Sequence, residues 1–144
     1  MCLQVATATV MAASMAPGVI IGKISMLKIL FLDDEVSRFD ALVKNLGNKA
    51  QCRHVKNGFE FLDALCDTKY DIIMLDHDLG LDDFTGVDAA KILAAAPENL
   101  NDCQLVVVHS MNVCGADNMI SHMRNSPHLR IRKMPGAWMK NFLG

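Results

Sequence analysis

Short apolar runs alternate with helix-patterned stretches along most of the chain, and no other feature restricts the fold as much. Residues 27–32 (Leu-Lys-Ile-Leu-Phe-Leu) form the first run, and Val36, Phe39, Leu42, Val43 and Leu46 then recur at helical spacing before Gly47. A weaker strand is expected at residues 52–55. Asn57, with Glu60 three residues on, caps a helix carrying Phe59, Leu62 and Leu65. Residues 70–75 are apolar on both parities, which predicts a strand buried on both faces. Thr85 and Asp88 open a third helix bearing Val87, Ala90 and Leu93, closed by Pro97. Residues 105–108 predict a fourth strand, 116–124 a fourth helix and 129–133 a fifth strand, with a short last helix after Pro135-Gly136. Five strand-then-helix units imply right-handed crossovers and a parallel sheet covered on both sides, so the predicted fold is a doubly wound α/β domain.

Composition agrees with one globular domain: of 144 residues, 51% are hydrophobic and 21% charged, and 14 basic against 16 acidic residues give a formal charge of -2. That balance excludes a global positive field for nucleic acid or anionic lipid. Cys2, Cys52, Cys66, Cys103 and Cys114 are an odd set without a C-x-x-C pair, so neither a disulfide framework nor a zinc knuckle is indicated, and a cytoplasmic setting is expected. Residues 1–22 carry no charge, but they lack the positive flank of a secretory signal, and Pro17-Gly18 interrupts the apolar run. Residues 1–25 therefore read as a flexible extension or the product of a mis-chosen start, ahead of a domain spanning 26–144. No membrane partner is expected.

In a doubly wound sheet the ligand lies beyond the carboxyl ends of the strands. Here those ends read Asp33-Asp34-Glu35, Asp76-His77-Asp78 and His109-Ser110-Met111-Asn112. On neighbouring strands ~4.8 Å apart they converge within the width of one small ligand. Carboxylates so close repel one another unless a cation or proton intervenes, and an all-oxygen site suits Mg²⁺ or another divalent cation with waters left for a phosphate to replace. One acidic pair alone would read as a helix cap; three polar strand ends together read as a pocket. His54, His122 and His128 have no acidic neighbours at the expected site and read as surface or helix residues, while the ten methionines read as core filling.

The stretches Leu32-Asp33-Asp34-Glu35, residues 57–65 (Asn-Gly-Phe-Glu-Phe-Leu-Asp-Ala-Leu), residues 70–76 and Thr85-Gly86 resemble the receiver domain of two-component response regulators over nearly all of residues 26–144. That resemblance implies a flavodoxin-like sheet of order 2-1-3-4-5, Mg²⁺ held by Asp33 and Asp34, and a phosphoacceptor role for Asp76. The family's Thr or Ser at the end of the fourth strand would fall on His109 or Ser110, and its Lys at the end of the fifth on Lys133. The chain departs from the pattern in two places. Residues 77–84 replace the usual Met-Pro loop, and Met134 separates Lys133 from Pro135. With residues 75–79, 108–112 and 115–119, these departures resemble a divergent branch, the cyclic-phosphate processing receiver domains, which implies action on cyclic phosphate ends of RNA.

Opening a cyclic phosphodiester needs an activated water, a proton for the departing alkoxide and neutralised charge on the phosphoryl oxygens. His77 and His109 are the expected acid/base pair, in open order, with both pKa values raised by the carboxylates around them. Asp33, Asp34 and Asp76 would hold the metal with Asp78 as a further ligand, and Ser110, Asn112 and Lys133 would bind phosphate, aided by the amides of the fourth helix. Two other readings stay open: a stand-alone receiver phosphorylated on Asp76 by a histidine kinase and acting through a protein target, and a pseudo-receiver that only mediates contacts.

Overall fold

The computed structural model describes residues 26–80, 83–96 and 105–134. Residues 1–25, Pro97 and the segment after Pro135, with the extension, helix stop and last helix expected there, lie outside the described residues. Strand β1 (Leu27–Leu32) leads into helix α1 (Val36–Leu46), and a single 3₁₀ turn at Gly47–Lys49 precedes β2 (Ala50–Val55). Then come α2 (Gly58–Asp67), β3 (Ile72–Leu75), α3 (Gly86–Ala95), β4 (Leu105–Val108), α4 (Val113–Met123) and β5 (Ile131–Lys133). The strands form one parallel sheet in the order β2-β1-β3-β4-β5.

Alternation along the strands divides the interior into two cores. Leu30, Leu32, Ile73, Leu75, Val106 and Val108 face α2, α3 and α4, meeting Phe61, Ala64, Ala90, Leu93, Met119 and Met123. Ile29, Phe31, Ile72, Met74 and Val107 face the other way, onto Leu42 and Leu46 of α1. All four residues of β3 are buried, as its apolar run on both parities predicts.

Several element ends differ from expectation for local reasons. Strand β2 begins at Ala50, two residues early, because its partly exposed edge leaves no continuous apolar run to read. Strand β3 starts at Ile72, since Asp71 turns its carboxylate to accept from the Lys28 amide at 2.9 Å. Helix α4 begins at Val113 because Asn112 caps it, accepting from the Gly115 amide at 2.8 Å. Asn57 accepts from the Glu60 amide at 2.9 Å, while the Glu60 side chain accepts from Lys56 rather than from the cap residue itself. The Thr85 box is complete, with Asp88 accepting from the Thr85 amide at 2.9 Å and the Thr85 hydroxyl accepting from the first turn. Thr85→Ala is therefore expected to cost about 1 kcal/mol of stability, read as a lower urea midpoint at unchanged slope.

Candidate functional site

The registers place Leu32, Val55, Leu75, Val108 and Lys133 side by side at the carboxyl ends of the strands. The hydrogen-bond ladder runs one residue further. Asp33 donates to Val55, Asp76 to Leu32, His109 to Leu75 and Met134 to Val108, at 2.9–3.1 Å. Asp33, Asp76 and His109 thus form the next row of the sheet. They share the parity of Phe31, Met74 and Val107, so they point to the α1 side directly above that smaller core.

The row is buried. Asp33 is 0%, His109 3% and Asp76 6% exposed. Asp33, Asp34 and Asp76 each offer a carboxylate oxygen within 4.8 Å of the others. Such a set of hard oxygen donors fits a divalent cation of the Mg²⁺ type.

The counter-charge comes from a residue that sequence reasoning missed. Arg38, in the first turn of α1, donates from Nε to Asp33 Oδ2 and from Nη2 to Asp33 Oδ1, both at 2.7 Å. The same Nη2 stands 3.3 Å from Asp76 Oδ2 and 3.8 Å from Asp34 Oδ1. The hydrogen bond to Asp33 drives the guanidinium pKa well above its ordinary value. The available signal was spacing, since Arg38 is i+4 from Asp34 and one turn up the helix covering this face.

Two histidines stand beside the acids, His109 within the row and His77 at its rim. His109 lies beneath the rim, stacked on Phe31 with ring centroids 4.8 Å apart and with Nδ1 3.8 Å from Asp33 Oδ2. The expectation that carboxylates raise its pKa is overturned: burial outweighs Asp33 and lowers it to about 4, so the ring is neutral. His77 sits at the rim, its amide donating to Asp76 Oδ1 and its Nδ1 2.9 Å from Asp78 Oδ1. A carboxylate only accepts, so Nδ1 carries the hydrogen of that contact. The imidazole rests on Gly115, where a Cβ would come within 2.5 Å of its Cγ, and Asn112 Nδ2 lies 3.5 Å from its Nδ1.

The remaining expected residues divide. Ser110 hydrogen-bonds Asp76 and, through Oγ, accepts from the Asn112 amide at 3.0 Å. The Asn112 Oδ1 is used as the α4 cap. Asp78 turns to His77 and stands outside the three-carboxylate set. Lys133 does not reach the row; its Nζ donates to Asp117 of α4 at 2.8 Å. Parity explains this, because the row-mate of His109 on β5 is Met134, so Lys133 faces the α4 side. His54, read as a surface residue, is half-buried against Phe39 and donates to the Asp33 carbonyl at 2.6 Å. A cleft of about 280 Å³ lies at the opposite ends of the strands, between Lys28, Cys52 and Tyr70, away from this chemistry.

Residues 28–125 match the family described as the cyclic-phosphate processing receiver domain. The chain belongs to that family. No curated protein sequence matches it. Among solved structures this receiver is similar to a response regulator from Burkholderia pseudomallei with a phosphorylated aspartic acid, calcium ion and citrate, at 18% identity and TM-score 0.62, covering 81% of this chain and 64% of that one. It is also similar to NtrX from Brucella abortus in complex with ADP, at 19% identity and TM-score 0.63, covering 82% of this chain and 25% of that one. The BeF3-activated DrrB receiver domain matches at 14% identity and TM-score 0.58, with 82% and 91% covered. At these identities the likeness shows the receiver fold, and the chain spans only a quarter of NtrX. Among the described residues no helix is long and apolar enough to cross a membrane.

The buried row makes receiver stability depend on pH in two opposing ways. Burial and Asp33 raise the Asp76 pKa from 3.8 to about 6, so its contribution is full below 3.8 and is lost as pH rises through 6. His109 is depressed from 6.5 to about 4, so its contribution is full above 6.5 and is lost as pH falls through 4. In metal-free buffer, Asp76→Asn is expected to stabilise the protein at pH 7.5 by about 1–2 kcal/mol, the figure being discounted because the carboxylate borders the open rim. The variant should then lose stability steadily on acidification from pH 6.5 to 4, where the wild type stays flatter. Urea unfolding across that range checks both, and a variant no more stable than wild type at pH 7.5 refutes the assignment.

Proposed function

We propose that this receiver hydrolyses a cyclic phosphate of the RNA-end type, with Asp76 and His77 at the centre of the site. One observation carries the reading: beside the carboxylate cluster stands an imidazole already oriented for proton transfer, His77, tied at Nδ1 by Asp78 and seated on Gly115. The family description points the same way.

In the reaction, water adds to phosphorus, one of the two ring P–O bonds breaks, and the departing ribose oxygen receives a proton, leaving a phosphomonoester. His77 Nε2 takes the proton of the attacking water, Asp78 stabilises the imidazolium that results, and the imidazolium then gives that proton to the departing ribose oxygen. The amides that open α4 take the phosphate oxygens, while the Ser110 hydroxyl holds Asp76. A divalent cation held by Asp34 and Asp76, with Asp33 behind them, would supply charge neutralisation on the phosphoryl oxygens. His109 is assigned a positioning task, since its neutral ring packs between Phe31 and Asp33 and supports the acid row from below.

A second reading takes Asp76 as a phosphoacceptor for a histidine kinase, with a protein target downstream. It is favoured by the place of Asp76 at the end of β3 and by the phosphorylated aspartic acid of the Burkholderia relative. The two separate in one set of assays. Hydrolysis of a nucleoside 2′,3′-cyclic phosphate is expected to fall by about 100-fold or more in His77→Ala and to stay within about twofold in Lys133→Ala. Full activity in His77→Ala removes the enzyme reading. Covalent labelling by a small phosphodonor, lost in Asp76→Ala, establishes the switch.

A further inference from the structure

Arg38 Nη2 lies within 3.8 Å of an oxygen of each of the three clustered carboxylates, at 2.7, 3.8 and 3.3 Å from Asp33, Asp34 and Asp76. A second basic group beside the cluster is His109, with Nδ1 3.8 Å from Asp33 Oδ2. Arg38 Nη2 marks the point that the three acids share. A small divalent cation bound by the same acids needs oxygen contacts near 2.1 Å and so needs that same volume. Two cations there would also repel each other strongly at such separation.

We propose that Arg38 is a resident counter-ion of the receiver pocket, and that a divalent cation enters only by displacing its guanidinium. The side chain is built to leave. It is 37% exposed, it rises from the first turn of α1 at the open rim, and Glu35 is near enough to attract it once it turns outward. With Arg38 in place the protein holds its buried acids without metal, but three carboxylates face one guanidinium and repel a phosphate dianion. After exchange the cation takes over the acids, and the freed guanidinium stands at the mouth of the pocket as a fork for phosphate oxygens. Met134 in the β5 row position makes this consequential, because no lysine reaches the cluster from that strand and Arg38 is the mobile positive charge at hand. The exchange is a property of the pocket and does not depend on which phosphoryl reaction follows.

Calorimetric titration of Mn²⁺ into metal-stripped protein tests it. Arg38→Gln is expected to bind Mn²⁺ at least about tenfold more tightly than wild type, and Asp34→Asn in the same background to lose that binding. A folded Arg38→Gln protein that binds no more tightly, or no binding by either protein, overturns the proposal. Should Arg38→Gln fail to fold, having stranded the Asp33 carboxylate, the wild type decides. On addition of Mg²⁺ the Arg38 Nε–H resonance is expected to lose its hydrogen-bonded shift and exchange faster with water; protection unchanged throughout the titration overturns the proposal.

Discussion

The parallel ladder does not stop where the apolar residues stop, and the chemistry of the molecule depends on that one extra row. Backbone bonds from Asp33, Asp76 and His109 continue the pairing of β1, β3 and β4 by one residue. Loops could not hold two carboxylates and an imidazole in fixed order at this depth, because each would turn toward water to escape burial. The ladder prevents that escape. Alternation then sends all three side chains to the same face, where Phe31, Met74 and Val107 close the row from below and α1 covers it.

Burial of acids on this scale requires a partner, and the partner follows from the crossover. Helix α1 must pack its stripe of Leu42 and Leu46 on the face that carries the acidic row, so its first turn hangs over the row itself. Arg38 occupies that turn and answers Asp33 with two charge-assisted hydrogen bonds. His54 satisfies the Asp33 carbonyl from the β2 side, and the Glu35 amide satisfies Asp33 Oδ1 from the loop. Asp33 is thus consumed by structure. Asp34 and Asp76 lie nearer the rim and share only the longer contacts of the same guanidinium nitrogen, at 3.8 and 3.3 Å.

Much of this was legible in the sequence because it follows from periodicity and chemical type. The two-sided burial of β3 and the polar strand ends that bring Asp33, Asp34 and Asp76 together come from apolar runs that end in acids, whereas the strand order came from the resemblance to receiver domains. The parts that escaped turn on side-chain direction, which composition does not carry. Lys133 looked right by proximity to the end of β5, yet a single position of register sends it to Asp117 and leaves Met134 in the row. His109 was read as a titrating rim residue, although the parity it shares with Val107 places it over the core, where burial keeps it neutral. Arg38 and His54 escaped for the same reason, since only the packing of α1 and β2 against β1 brings them to Asp33.

The two histidines illustrate how one residue type separates into two tasks under different surroundings. Each follows a buried strand and each has a carboxylate within reach. His109 faces Asp33, whose charge Arg38 already answers, so the imidazole gains too little from protonation to repay its desolvation. His77 faces Asp78, an exposed carboxylate, at the rim. The difference lies first in depth, since burial lowers the His109 pKa and the charge of Arg38 adds to that effect. With Arg38 answering Asp33, the inner histidine packs as a neutral ring under the acids, while the outer His77-Asp78 pair stands at the open rim.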